Sequence, residues 1–199
     1  MRSVYSFIVK PKGKRYNNKK KVGDSELILN TEIFNHQYIN REAEVIATPS
    51  AIKTEIKEGD TVILHHNVFR RWHNMQGVEK NSRSYIKEDL YAVDQIQIYM
   101  YKRNGDWKPV KGYCFIQPIK SNSIFNNNIN RGHINERPNM GIIKYTDGSF
   151  DIDDLVGFTP KSEFEFVVDN QRMYRIRTED ITIKYEYKGN EEAYNPSWA

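Results

Sequence analysis

The sequence predicts an all-β protein built from two related barrel-like halves. Three observations carry the prediction. Apolar and polar residues alternate in short runs. No apolar period of 3.6 residues persists beyond about two turns. A set of landmarks recurs in the same order in both halves of the chain. Composition agrees: of 199 residues only 38% are hydrophobic, but 13% are aromatic, with 13 Tyr against 3 Trp. Disordered chains lack aromatic and β-branched residues, and small barrels need the large burial that each aromatic ring supplies.

Taken in order, the opening run Tyr5-Ser6-Phe7-Ile8-Val9-Lys10-Pro11 reads as a strand ending at proline. Residues 12–21 carry lysines, an arginine and asparagines with little to bury, and read as a mobile loop. Glu44-Val45-Ile46-Ala47 and Thr61-Val62-Ile63-Leu64 are strands rich in β-branched residues, separated by the turn Glu58-Gly59-Asp60. Gln95-Ile96-Gln97-Ile98-Tyr99-Met100-Tyr101 reads as a closing strand, and residues 102–106 as a polar turn. In the second half Tyr113-Cys114-Phe115-Ile116-Gln117-Pro118 opens the pattern again, followed by an asparagine-rich loop over residues 121–130. Glu163-Phe164-Glu165-Phe166-Val167-Val168 alternates as a half-buried strand does, and residues 180–187 alternate in the same way. Residues 189–199 read as a C-terminal tail.

The repeat is collinear. Tyr5 to Pro11 matches Tyr113 to Pro118, and Arg41 to Ile46 matches Arg137 to Ile143. Ile56 to Leu64 matches Phe150 to Phe158. Tyr91-Ala92-Val93 followed by Ile96-Gln97-Ile98 matches Tyr174-Arg175-Ile176 followed by Ile181-Thr182-Ile183. The expected domains are therefore residues 1–102 and 107–188, with 189–199 as the tail.

Net charge is +4, from 30 basic and 26 acidic residues. This near balance argues against a polyanion-binding face, so no nucleic acid is expected as partner. Arg70-Arg71-Trp72 with Phe69 and His73 is the one cluster that could stack on and neutralise a nucleic-acid strand. The other reading is a salt-bridged rim with Trp72 covering a barrel end. The lone Cys114 cannot form an internal disulfide and sits in an apolar run, where a buried structural thiol is expected. No stretch approaches the ~20 apolar residues of a membrane span, so a cytoplasmic location is expected. His65, His66 and His73 invite a metal, but neighbouring strand residues point to opposite faces and no cysteine or acidic cluster completes a set. No metal, cofactor or catalytic residue is expected: no nucleophile–base arrangement and no phosphate-cradling glycine motif is present.

The first half resembles the chaperonin-10 (GroES) family of co-chaperonins. The resemblance rests on the opening strand ending in Pro11, the long polar loop, and the turn Glu58-Gly59-Asp60 leading into Thr61-Val62-Ile63-Leu64. The closing strand near Asp94-Gln95-Ile96 completes it. It covers residues 5–100 and, more faintly, 113–185. The family's Gly-rich loop is replaced by a stretch with the single glycine Gly23, and the roof hairpin is missing, since residues 47–53 run straight to the next strand. Phage-encoded co-chaperonins are similar in lacking it, and chloroplast tandem co-chaperonins are similar in carrying two domains per chain. Residues 65–73 have no counterpart. The resemblance implies two tandem GroES-like barrels and a homo-oligomer that caps a GroEL-like chaperonin ring and assists ATP-dependent folding. ATP would belong to the partner.

The implied chaperonin-binding residues are Leu27, Ile28 and Leu29 in the first loop, with Ile124 and Phe125 in the second. Exposed apolar residues in a polar loop are costly unless a partner buries them. The other reading of the triplet is an ordinary strand packed on its own barrel. Two alternatives for the whole chain stand beside the co-chaperonin. One is a structural or assembly protein, of viral origin and acting in a host cytoplasm; the other is a nucleic-acid-binding barrel.

Overall fold

The computed structural model describes residues 2–29, 31, 33, 35–121, 136–186 and 189–195. Strands dominate, and the helical turns among the described residues are short 3-10 turns. The chain divides into two compact units, Met1–Trp107 and Lys108–Ala199.

The first unit contributes β1 (Phe7–Pro11), β2 (Lys19–Val22), β3 (Ser25–Ile28), β4 (Glu42–Ala47), β5 (Thr61–Leu64) and β6 (Arg71–His73). It continues with β7 (Glu79–Asn81), β8 (Tyr85–Lys87), β9 (Leu90–Val93), β10 (Ile98–Arg103) and β11 (Asp106–Pro109), the last running across the division. Seven strands form one sheet in the order β11-β10-β5-β4-β1-β9-β8, while β2-β3 and β6-β7 are separate hairpins. Phe7, Val9, Val62, Leu64, Phe69, Val93, Ile98 and Met100 are fully buried and make the core.

The second unit contributes β12 (Tyr113–Lys120), β13 (Glu136–Tyr145), β14 (Leu155–Phe158), β15 (Phe164–Val168), β16 (Gln171–Arg177) and β17 (Ile181–Tyr185), ordered β15-β16-β12-β13-β14-β17. That order is the one β8-β9-β1-β4-β5-β10 follows in the first unit. Register agrees as well. Val9 lies between Val45 and Tyr91, and Ile116 lies between Ile143 and Tyr174. The ladder slips between Ile8 and Val9, and again between Phe115 and Ile116. In both units a single 3-10 turn leads into the last of these shared strands, β10 or β17.

The turn before β5 recurs in atomic detail. The Lys57 amide donates to the Asp60 carboxylate at 2.8 Å, and the Asp151 amide to that of Asp154 at 3.1 Å. Gly59 and Asp153 both have positive φ, 86° and 67°, and their amides donate to Val45 O and Ile143 O. Glycine suits this conformation; aspartate tolerates it because its side chain can satisfy local backbone.

Five expectations need correction. First, the aromatic landmarks slip by one. Pro11 and Pro118 are equivalent, each facing a small residue, Ala43 or Gly141, so Phe7 corresponds to Cys114 rather than to Phe115. Second, Gln95–Gln97 is a 3-10 turn, not strand; Asp94 and Gln97 form a reciprocal cap there, and Ile96 is exposed. Third, residues 12–21 are not a plain loop, because Lys19–Val22 pairs with Ser25–Ile28. Gly23, at φ 61°, takes the first central position of a two-residue turn, which favours glycine. Fourth, residues 192–194 are not a free tail. β16 pairs with β12 only as far as Ile116, and the chain end fills the remaining edge. Lys120 N donates to Glu192 O at 2.8 Å, and Tyr194 N to Pro118 O at 2.7 Å. Fifth, neither ladder closes among the described residues. Sheet edges are left at β8 and β11, and at β15 and β17. β8 has only three residues, and a short edge strand offers little backbone for pairing.

Candidate docking surface

In sequence the β2–β3 hairpin lies in the connection between β1 and β4, two strands that pair directly in the seven-stranded sheet. Lys19 faces Ile28, Lys20 faces Leu27, Lys21 faces Glu26 and Val22 faces Ser25. Directly opposed residues share a face and successive residues alternate. The apolar triplet is therefore split. Leu27 and Leu29 join Val22 and Lys20 on one face, while Ile28 joins Lys19, Lys21 and Glu26 on the other. All four apolar side chains face solvent: Val22 is 56% exposed, Leu27 and Ile28 55%, and Leu29 43%. The triplet is thus not packed into a core. Glu26 pairs with Lys19 at 3.0 Å and Lys14 at 3.5 Å. The Lys19 hydrogen bond, reinforced by Lys14, holds its carboxyl below the usual range. Ile124 and Phe125 lie outside the described residues.

The root of this hairpin is fastened by residues the sequence reading passed over. The Arg15 guanidinium donates to Phe69 O at 2.5 Å, Asn81 Oδ1 at 2.6 Å and Arg70 O at 3.2 Å. It also lies 5.4 Å from the centre of the Tyr91 ring. Tyr16 is buried, donates to Ile33 O at 3.0 Å and accepts from the Arg71 amide at 2.8 Å. Buried Asn40 donates to both Lys12 O and Lys14 O, at 3.0 and 2.9 Å. Residues from the connection 65–84 thus brace the hairpin's base. A tyrosine inside a lysine-rich run was the signal, because a ring in a solvated loop has nothing to gain.

The same segment resolves the remaining candidates. Phe69 is fully buried against Tyr91, ring centres 4.8 Å apart, so it is no stacking platform. Arg71 pairs with Glu79 at 3.0 Å and lies over Tyr16 at 4.8 Å. Trp72 is 43% exposed, its indole N–H donating to Asn81 O at 3.1 Å. His65 and His66 do not point apart: β5 ends at Leu64, the chain turns into a 3-10 turn, and their rings stack at 4.3 Å. His65 Nδ1 accepts from the Asn67 amide. Burial, with His65, Arg41, His36 and Arg70 nearby, pushes His66 down to about 3. Among the described residues no three His, Cys, Asp or Glu side chains converge as a metal set. Cys114 is fully buried, and that burial pushes its thiol up.

No helix among the described residues is long and apolar enough to cross a membrane. No protein-family model matches the chain, and no curated protein matches it in sequence.

Proposed function

We propose that this chain is a co-chaperonin-like protein whose β2–β3 hairpin docks Leu27, Ile28 and Leu29 into an apolar groove on a chaperonin ring. Its two units would be tandem GroES-like domains, assembled as a homo-oligomer that caps the folding chamber, with ATP turned over by the partner. The observation that supports the reading is the run of consecutive solvent-facing apolar residues on a braced hairpin in the connection between β1 and β4. The family this sequence resembles carries its contact loop at that place. Burying one such side chain is worth roughly 1.5–3 kcal/mol, so one hairpin binds weakly and a ring of them binds well.

The test is chaperonin pull-down with nucleotide, alongside thermal melting, for Leu27→Asp and Ile28→Asp. A carboxylate pressed into an apolar groove costs several kcal/mol, whereas on an exposed hairpin it shifts stability by no more than about 0.5 kcal/mol. The expected outcome is lost capture with unchanged melting. Because the two residues lie on opposite faces, losing capture with only one variant would identify the face that docks. Unchanged capture with both would sink the reading.

A further inference from the structure

The segment bracing the hairpin also builds a cavity. In the second unit only residues 159–163 connect β14 to β15; in the first unit residues 65–84 connect β5 to β8, adding the β6–β7 hairpin. Insertions in one copy of a repeat often map to a binding face. Here the insertion supplies Asn67, Arg70, Trp72, Ser82, Arg83 and Ser84, which with Gln97 line a cavity of about 520 Å³. That size lies in the range of small-molecule sites.

The lining has a definite chemistry. No aspartate or glutamate is among it, and two arginines are. Arg83 is exposed and makes no ion pair among the described residues. The nearby acid Glu79 is engaged with Arg71, outside the lining. Trp72 presents a partly exposed indole, with its N–H tied to Asn81 O. The ring is therefore held in place and its face, rather than its polar edge, is what remains to offer. Asn67, Ser82 and Ser84 add amide and hydroxyl groups. An aromatic face beside paired cations, rimmed by neutral hydrogen-bonding groups, matches a planar base carrying a phosphate.

We propose that this cavity binds a nucleotide, its base stacked on Trp72 and its phosphate held by Arg70 and Arg83. The chain's small net charge fits a footprint of one nucleotide rather than a long polyanion groove. The nucleotide could be free or part of a single strand, and the experiment separates the two. Fluorescein-labelled oligothymidylate would be titrated by anisotropy, with thymidine monophosphate and inorganic phosphate as competitors, at two salt concentrations.

Saturable binding is expected, weakened by salt, and loosened about tenfold by Trp72→Ala and by Arg83→Ala. Trp72→Phe, which keeps an aromatic face, should restore most of the affinity. Competition by the monophosphate at matching affinity would assign the site to free nucleotides; competition only at far higher concentration would assign it to a strand. Inorganic phosphate competing as well as the monophosphate would overturn the base-stacking role. So would no binding, or binding that Trp72→Ala leaves unchanged in a variant whose melting is native. The site is separate from the apolar hairpin residues, so its failure would leave the chaperonin reading standing, and the reverse.

Discussion

Asp60 shows how much one side chain can hold. It is 5% exposed, yet its carboxylate accepts from the Lys57 amide and from two nitrogens of Arg103, at 3.0 and 2.6 Å. Burial alone would raise its pKa; the Arg103 and Lys57 hydrogen bonds outweigh this, and the group titrates below the usual carboxylate range. Removing it takes the carboxylate from Arg103, which keeps only the Glu55 carbonyl among these contacts, and leaves the Lys57 amide without this acceptor, so Asp60→Ala should cost about 2–3 kcal/mol. Asp154 keeps the same backbone contact, but its cation, Lys184 at 2.8 Å, is half exposed. Asp154→Ala should therefore cost less, about 1 kcal/mol. Thermal or urea melting of the two variants measures the difference. The pH sign follows from the depressed folded pKa. The Asp60 contribution is fully present above the unfolded value of about 3.9 and is lost as pH falls through the lower folded value. The gap between wild type and Asp60→Ala should narrow in acid; a gap that widens there would contradict the ion-pair account.

At the scale of elements, the β2–β3 hairpin is where sequence and structure part. Strand positions in the main sheets were legible, because alternation and β-branching mark them: Thr61–Leu64 and Phe164–Val168 lie where the pattern puts them. The repeat was legible too, to within a one-residue slip, because Gly59-Asp60 and Asp153-Asp154 close the same turn with different chemistry. The hairpin was hidden because three lysines make an unpromising strand. What holds it is Gly23 at the turn and Arg15 and Tyr16 at the root, contacts made to residues more than fifty positions away that no local pattern reports. The chain-end strap was hidden for the same reason. Arg15 therefore acts as a brace, and Arg15→Ala should loosen the hairpin selectively. Amide exchange reads this directly. Protection at Asn17, bonded to Tyr38 O, and at Leu29, bonded to Asn18 O, should fall by about tenfold to a hundredfold. The amide of Val45, bonded to Asp60 O, should keep its protection. Equal loss at Val45 would mean that Arg15 supports the sheet rather than the hairpin.

For the whole molecule, the proposed docking raises the question of whether two units with one strand order would share it equally. If both present an apolar segment to a chaperonin ring, linkage multiplies their weak affinities by about 10²–10⁴ over either alone, and disabling either unit is equally damaging. The fold argues for an unequal division. The first unit's hairpin is fastened by Arg15 and Tyr16 to residues 65–84, so part of its ordering cost is met before a partner arrives. In the second unit the matching connection is residues 159–163, too short to supply a second hairpin of that kind. The brace built from residues 65–84 has no counterpart in that short connection, so docking through the second unit lacks the saving the brace gives the first. The double variant Ile124→Asp with Phe125→Asp should then weaken chaperonin binding by less than about tenfold, that is, by under 1.4 kcal/mol. Leu27→Asp in the first unit should remove capture. Affinity measured on immobilised chaperonin rings with nucleotide present compares them directly. Equal losses would show that the two units dock as equivalents and that the brace built from residues 65–84 serves another end.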